Sequence, residues 1–482
     1  MKMKKISILS ILCLVIFLVS CTKNIEQLNV DTKNATEVTP GSLFAYAQKS
    51  LVDEVTSASV NHNVFRLFVQ HWTETTYNDE SNYDLNTRNI PQTFWGVIYR
   101  DVLNNLSIAA TLVPKQSVAV ASAGVKTNQL AMIKIMQVYA NTVLVNSFGN
   151  IPYSQAINIG STSTPKYDDA KTVYYSLLTN LDSAIDSLNN NYGAFGSSDL
   201  LLNSDVDSWL IFANSLKLRL GMILADYDPA FSKSIVEAAA PNVFQSSTGK
   251  VAFSYLSSPP NTNPIWVDLV QSGRNDFVGA NTLMDTLSKT NDPRLSSFFD
   301  PIASGAYVGG VYGGGANTAT KNSLPSSKVT AANFESVLID FSETELLLSE
   351  AAARGYNVVG TAAEHYVNGV TASIFYWTGS DASVASYLSD PRVDTSSFST
   401  TWKQKIGYQK WVSLYNRGFD GWTEWRRFDV PTLVAPPDAV SDIPVRLTYP
   451  ANEQTLNSKN YKAAAAAIGG DAVTTKLFWD IH

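Results

Sequence analysis

The chain has 482 residues, 45% of them hydrophobic, and a formal net charge of -7. This is enough apolar chain for a large core or for two fused lobes. The acidity argues against nucleic acid and anionic membrane surfaces as partners.

The N-terminus reads as an export signal. A basic start, Met1-Lys2-Met3-Lys4-Lys5, precedes an apolar run from Ile6 to Val19, and Leu18-Val19-Ser20-Cys21 follows the pattern apolar, small-to-medium, small, cysteine. The run is too short for a spanning helix and has the flanks of a cleaved signal. A cysteine at that cleavage point is what bacterial lipidation needs. Its thiol takes a thioether-linked lipid and the freed amine takes a further acyl chain. Several chains at about 0.8 kcal/mol per buried CH₂ make a stable anchor. Residues 1–20 are therefore expected to be removed, with Cys21 lipidated and residues 21–38 forming a polar tether. Loss of Lys2, Lys4 and Lys5 moves the net charge from -7 by three units to -10. Cys13 leaves with the signal, so the mature chain keeps one cysteine and no internal disulfide is expected.

Beyond the tether, apolar residues recur at helical spacing. Thr39-Pro40 reads as a helix start, followed by Leu43, Phe44, Ala47, Leu51 and Val55. Val64, Phe65, Phe68 and Trp72 predict a second helix, and residues 73–91 a polar loop. Further faces are Trp95, Ile98, Val102, Leu106 and Ala109, then Met132, Met136, Tyr139 and Val143. Two more run from Ala170 to Leu188 and from Trp209 to Leu224. The expected class is predominantly all-α, a bundle-like lobe or a solenoid, although no clean repeat period is present. From 241 to 334 the chain turns rich in Pro, Gly, Ser and Asn, with a short helix expected near 279–289. Helices return at 342–354, 361–377 and 398–417. Residues 420–482 read as mostly irregular, with an Ala-rich helix at 459–467. The body, 39–482, thus divides into a helical lobe (39–240 and 335–420) and a loop-rich part (241–334 and 421–482).

No catalytic set emerges. His62, His71, His365 and His482 lack metal-ligand spacing, and the glycine-rich run 304–317 lacks the Gly-Lys-Ser/Thr ending of a phosphate loop. That run reads as a flexible loop or a ligand cover. Glycoside hydrolysis needs only two carboxylates. Glu343, Glu345 and Glu350 diverge on a helix, however, and Glu424 stands beside Arg426 and Arg427 in what reads as a salt-bridged corner. No cofactor is expected; Asp79, Glu80 and Asp84 share one loop and could offer oxygen ligands to Ca²⁺, but without an EF-hand pattern.

Binding by aromatic platforms fits the residues better. A sugar presents an apolar C–H face that an indole or phenol ring can cover, while amides and guanidinium groups bond its rim. Trp72, Tyr77, Asn78, Tyr83 and Arg88 supply those parts in one segment, and Trp266, Arg274, Asn275, Tyr307 and Tyr312 supply them in another. Any single one of these residues also fits core or loop packing.

Seven segments carry a resemblance. VNSFGNIPYSQA (145–156), WLIFANSLKLRLGM (209–222), NDPRL (291–295), ETELLLSEAAARG (343–355), WTEWRRFDVPTL (422–433), RLTYPANEQTLN (446–457) and LFWD (477–480) resemble, in order, signatures of the SusD/RagB-like outer-membrane nutrient-binding lipoproteins, in particular the SusD-like group labelled starch-binding. Phe148 and Asn150 depart from the Tyr and Asp usual in the first signature. The resemblance implies an α fold with four helix-turn-helix units of tetratricopeptide type and a loop-rich second part. It also implies a place on the outer leaflet, as a lid on a SusC-like TonB-dependent β-barrel that captures oligosaccharide, or in some relatives peptide, without hydrolysing it. These motifs read as scaffold and do not name the ligand. The rival readings are a surface glycosidase using Glu424 or Glu345, and an adhesin or peptide-binding lipoprotein with no transport partner.

Overall fold

The computed structural model describes residues 38–157, 160 and 162–482. The signal segment, Cys21 and nearly all of the tether lie outside the described residues. The dominant packing is between helices that follow one another in the chain. Helix α1 (Pro40–Thr56) packs on a long helix made of α2 (Ile90–Gly96), a π-helical stretch (Val97–Leu103) and α3 (Asn104–Leu112). The next pairs are α4 (Ala123–Phe148) with α5 (Ala170–Ser187), α6 (Val206–Ile223) with α7 (Pro229–Ala239), and α9 (Phe341–Ala353) with α10 (Ala362–Thr378). These four pairs are the helix-turn-helix units that the resemblance implied. Between the last two pairs lie α8 (Asn281–Lys289) and the loop-rich region, and α11 (Phe398–Ser413), α12 (Gly418–Phe428) and α13 (Ser458–Ala467) follow. Pro40–His482 forms one compact unit.

Local chemistry sets the boundaries. Ser122, Asp169, Asp228 and Asp340 cap their helices through side-chain oxygens that accept backbone N–H groups, and Thr361 with Glu364 forms a reciprocal capping box. Gly149, at φ 84°, ends α4 where a side chain would be strained.

Two expected elements differ. The helix expected through Trp72 is only Phe65–Phe68, because Gln70 turns left-handed at φ 54° and Trp72 opens strand β1 (Trp72–Glu74). Residues 420–428, part of the segment expected to be mostly irregular, are helical within α12. All eleven of its residues are buried, and its charged side, Asp420, Glu424 and Arg427 at helical spacing, turns to ion-pair partners and not to water.

The signature segments meet in the interior. The Arg426 guanidinium carbon lies 3.5 Å from the Trp422 ring centroid and 4.8 Å from that of Trp479, and Nη1 donates to the Asn146 carbonyl at 2.8 Å. Trp479 Nε1 donates to Asn146 Oδ1 at 3.0 Å, Arg446 Nη2 to the Phe148 carbonyl at 3.0 Å, and Tyr449 Oη to the Asn150 carbonyl at 2.9 Å. Asn150 Oδ1 in turn accepts the Ala170 N–H at 2.8 Å, which ties the end of α4 to the start of α5. The segments read as scaffold thus hold the fold together.

Candidate functional site

Two short strands join the two aromatic segments. Strand β1 pairs antiparallel with β3 (Phe277–Gly279), Trp72 opposite Gly279 and Glu74 opposite Phe277. The link continues past the strand: Thr75 N–H donates to the Asp276 carbonyl at 2.8 Å, and Thr75 Oγ1 to the Asn275 carbonyl at 2.7 Å. The glycine-rich run is fastened from behind. Asn78 Nδ2 and Asn82 Nδ2 both donate to the Gly313 carbonyl, and Gly313 N–H donates to Thr73 Oγ1. Gly313 has φ 69° and stands where a Cβ would come within 2.5 Å of Pro436. This part of the run is therefore packed structure, not a cover.

The pairing walls a cleft of about 470 Å³, a size suited to a small ligand. Of the ten predicted contact residues it brings together Tyr77, Arg88 and Arg274. Tyr77 is 64% exposed and held at φ 55°, left-handed backbone that costs a non-glycine residue free energy and recurs at binding sites. Arg88 reaches the cleft while ion-paired to the buried Glu80. Arg274 pairs with Asp276 at 2.5 Å on the opposite wall. Asn275 is exposed beside them, while Asn78 is spent on the Gly313 carbonyl. Trp266 and Tyr307 are half-buried outside the lining.

Three predicted platforms are core residues, which corrects their assignment as ligand contacts. Trp72 is 1% exposed, with Nε1 donating to Tyr415 Oη at 2.9 Å and the Arg66 guanidinium 5.2 Å from its ring centroid. Tyr312 is buried and donates to the Leu67 carbonyl at 2.7 Å. Tyr83 is buried against Phe68 and Tyr312. A ring enclosed on both faces cannot stack on a sugar. These three support the wall from behind.

The sequence reading missed Asn61, Thr76, Ser272 and the acids Glu74, Asp268 and Asp276 in the same lining. No spacing signals them, because the cleft is closed by contacts between segments some 200 positions apart, such as Ala58 N–H to Asp268 Oδ2 at 3.2 Å. Burial raises the Asp268 carboxyl. Glu74 is 2% exposed, and burial, followed by the neighbouring Glu80 carboxylate, pushes its carboxyl up to about 9 although it accepts the Ser81 N–H at 2.8 Å. The protonated form of Glu74 is favoured, its O–H directed to the neighbouring Glu80 carboxylate. Because its folded value exceeds the unfolded 4.5, this residue's contribution is fully present below pH 4.5 and is lost as pH rises toward 9. We expect Glu74→Gln, which keeps both an acceptor and a donor, to flatten the decline in stability across that window. Urea unfolding at pH 6 and pH 9 reads the difference.

The carboxylates considered for hydrolysis are committed elsewhere. Glu424 accepts from Lys410 and Arg427, each at 2.7 Å, and Glu345 accepts from His365 Nδ1 at 2.9 Å and Asn368 Nδ2 at 3.0 Å. Neither lines the cleft. The Ca²⁺ candidates do not converge: Glu80 serves Arg88, and Asp84 caps the Asn86–Thr87 turn. The arrangement is one of recognition: one open ring, two guanidinium groups, and amide and carboxyl groups around a concavity.

Comparison with known proteins agrees with a helical binding protein. The sequence matches the family model SusD-like_2, described as "Starch-binding associating with outer membrane", over residues 32–450, and the chain belongs to that family. Among solved structures, a chitin-binding protein is 25% identical with a TM-score of 0.80, covering 92% of this chain and 100% of its own. A chitin-binding SusD homolog from Flavobacterium johnsoniae is 23% identical with a TM-score of 0.76, covering 92% and 98%. A SusD homolog from Bacteroides uniformis is 23% identical with a TM-score of 0.77, covering 91% and 99%. No curated protein matches significantly. Among the described residues, no helix is long and apolar enough to cross a membrane.

Proposed function

We propose that this protein captures oligosaccharide at the outer face of the outer membrane and hands it to a SusC-like TonB-dependent barrel, for which it acts as a lid. The observation that carries the reading is the cleft between β1 and β3, where an exposed tyrosine ring faces guanidinium and amide groups across about 470 Å³. Anchoring is through lipid on Cys21, with residues 21–38 as the tether. The step is capture and closure without bond cleavage, so the closed state must bind the saccharide more tightly than the open one. Family membership and the chitin-binding relatives support the ligand class.

A mild-detergent pull-down from the native host through a C-terminal tag tests the partner. We expect a large TonB-dependent barrel in near-equal amount and lipid on Cys21. Recovery of the lipidated protein alone would replace the transport role with that of a free surface binder.

A further inference from the structure

A second concavity, larger than the first, lies elsewhere in the molecule. It measures about 660 Å³ and is walled by strands β2 (Lys250–Phe253) and β4 (Ser336–Asp340), the segment 328–335 and the end of α10. No residue lines both clefts. Phe334, Phe341, Phe375 and Tyr376 lie on its lining and are incompletely buried, Phe375 42% exposed, with the Lys250 and Lys328 ammonium groups 5.3 and 5.8 Å from the Tyr376 ring centroid. Four incompletely buried aromatic side chains in one hollow leave apolar area in water that a ligand's apolar face would cover.

The polar groups at this cleft define the ligand further. Asn333 and Ser254 are exposed on the lining, and neither side chain has a hydrogen-bond partner among the described residues. The charges are two and two, and both cations are engaged. Lys250 pairs with Glu335, and Lys328 Nζ donates to the Trp377 carbonyl at 2.6 Å and the Tyr376 carbonyl at 3.2 Å. Asp340 is the remaining acid. An anionic ligand finds no free cation here, and the chain as a whole is acidic. A neutral polyhydroxylated ring, with C–H faces for the phenyl groups and hydroxyls for the free amide and hydroxyl, matches both features.

We propose that this cleft is a second saccharide site for neutral oligosaccharide, separate from the Tyr77 cleft. It rests on the reading that the protein binds glycans, but not on which of the two clefts delivers them. Hydrogen-exchange mass spectrometry on the full soluble chain, with maltohexaose and chitohexaose as probes, tests it. The expected result is slowed exchange in 331–335 and 372–379 as well as in 267–277. Phe375→Ala then lowers the first protection and spares the second, and Tyr77→Gly does the reverse. Protection confined to 72–77 and 267–277, unchanged in Phe375→Ala, would overturn the second site and leave the functional reading intact. No protection anywhere with either probe would overturn both.

Discussion

Glu350→Ala lowers the stability of the folded chain by about 3–5 kcal/mol, the range for breaking a buried ion pair from one side. Glu350 is fully buried on α9 and gathers three cations: Arg427 at 2.6 Å, Arg354 at 2.9 Å and Lys410 at 3.2 Å. Two of those cations also hold Glu424. Removing Glu350 strands charge in the interior, where water cannot compensate it. Burial alone would raise this carboxyl; the Arg427, Lys410 and Arg354 cations overcome it and hold the group at about 2. With a folded value below the unfolded 4.5, the stabilisation is present above pH 4.5 and is lost as pH falls toward 2. Its slope is therefore opposite in sign to that of Glu74, and denaturant titrations at several pH values separate the two. Glu350→Gln should lose most of the acid sensitivity along with the stability.

Trp72→Ala costs a similar amount, roughly 3–5 kcal/mol, as expected for truncating a large buried aromatic. The indole is enclosed by Phe277 and Tyr415 and by the Arg66 side chain, and its N–H is satisfied by the Tyr415 hydroxyl. Urea unfolding should show the loss directly. Any weakening of glycan binding should follow the unfolded fraction and vanish where the variant is fully folded. A fully stable Trp72→Ala that had lost its ligand would return the indole to the binding surface.

The helices were legible where one face is buried and the other is not, as from Ala170 to Leu188, since burial then writes a 3.6-residue period into the sequence. The period is also written in α12, but its charged side is sunk in ion pairs where an exposed face would be expected, and the period misled at Trp72, where a left-handed Gln70 redirects the chain. The site was legible as two aromatic segments. Which rings face solvent was not, because the partners of Trp72 and Tyr312, namely Tyr415 and the Leu67 carbonyl, lie about 343 and 245 positions away in the chain. A buried tyrosine and an exposed one have the same local sequence signature. The structure tells them apart by whether the hydroxyl and both ring faces are already used.

The central claim is that the Tyr77 cleft binds saccharide. Isothermal titration of maltohexaose and chitohexaose into the wild type and into Tyr77→Gly tests it most directly. Glycine takes the left-handed backbone at φ 55° without strain, so stability should hold within about 1 kcal/mol. Loss of the stacking ring, worth about 1 kcal/mol by analogy with aromatic pairs, should weaken the Tyr77 site about fivefold. Superimposable isotherms for the wild type and a folded Tyr77→Gly, or no binding by the wild type, would contradict the account.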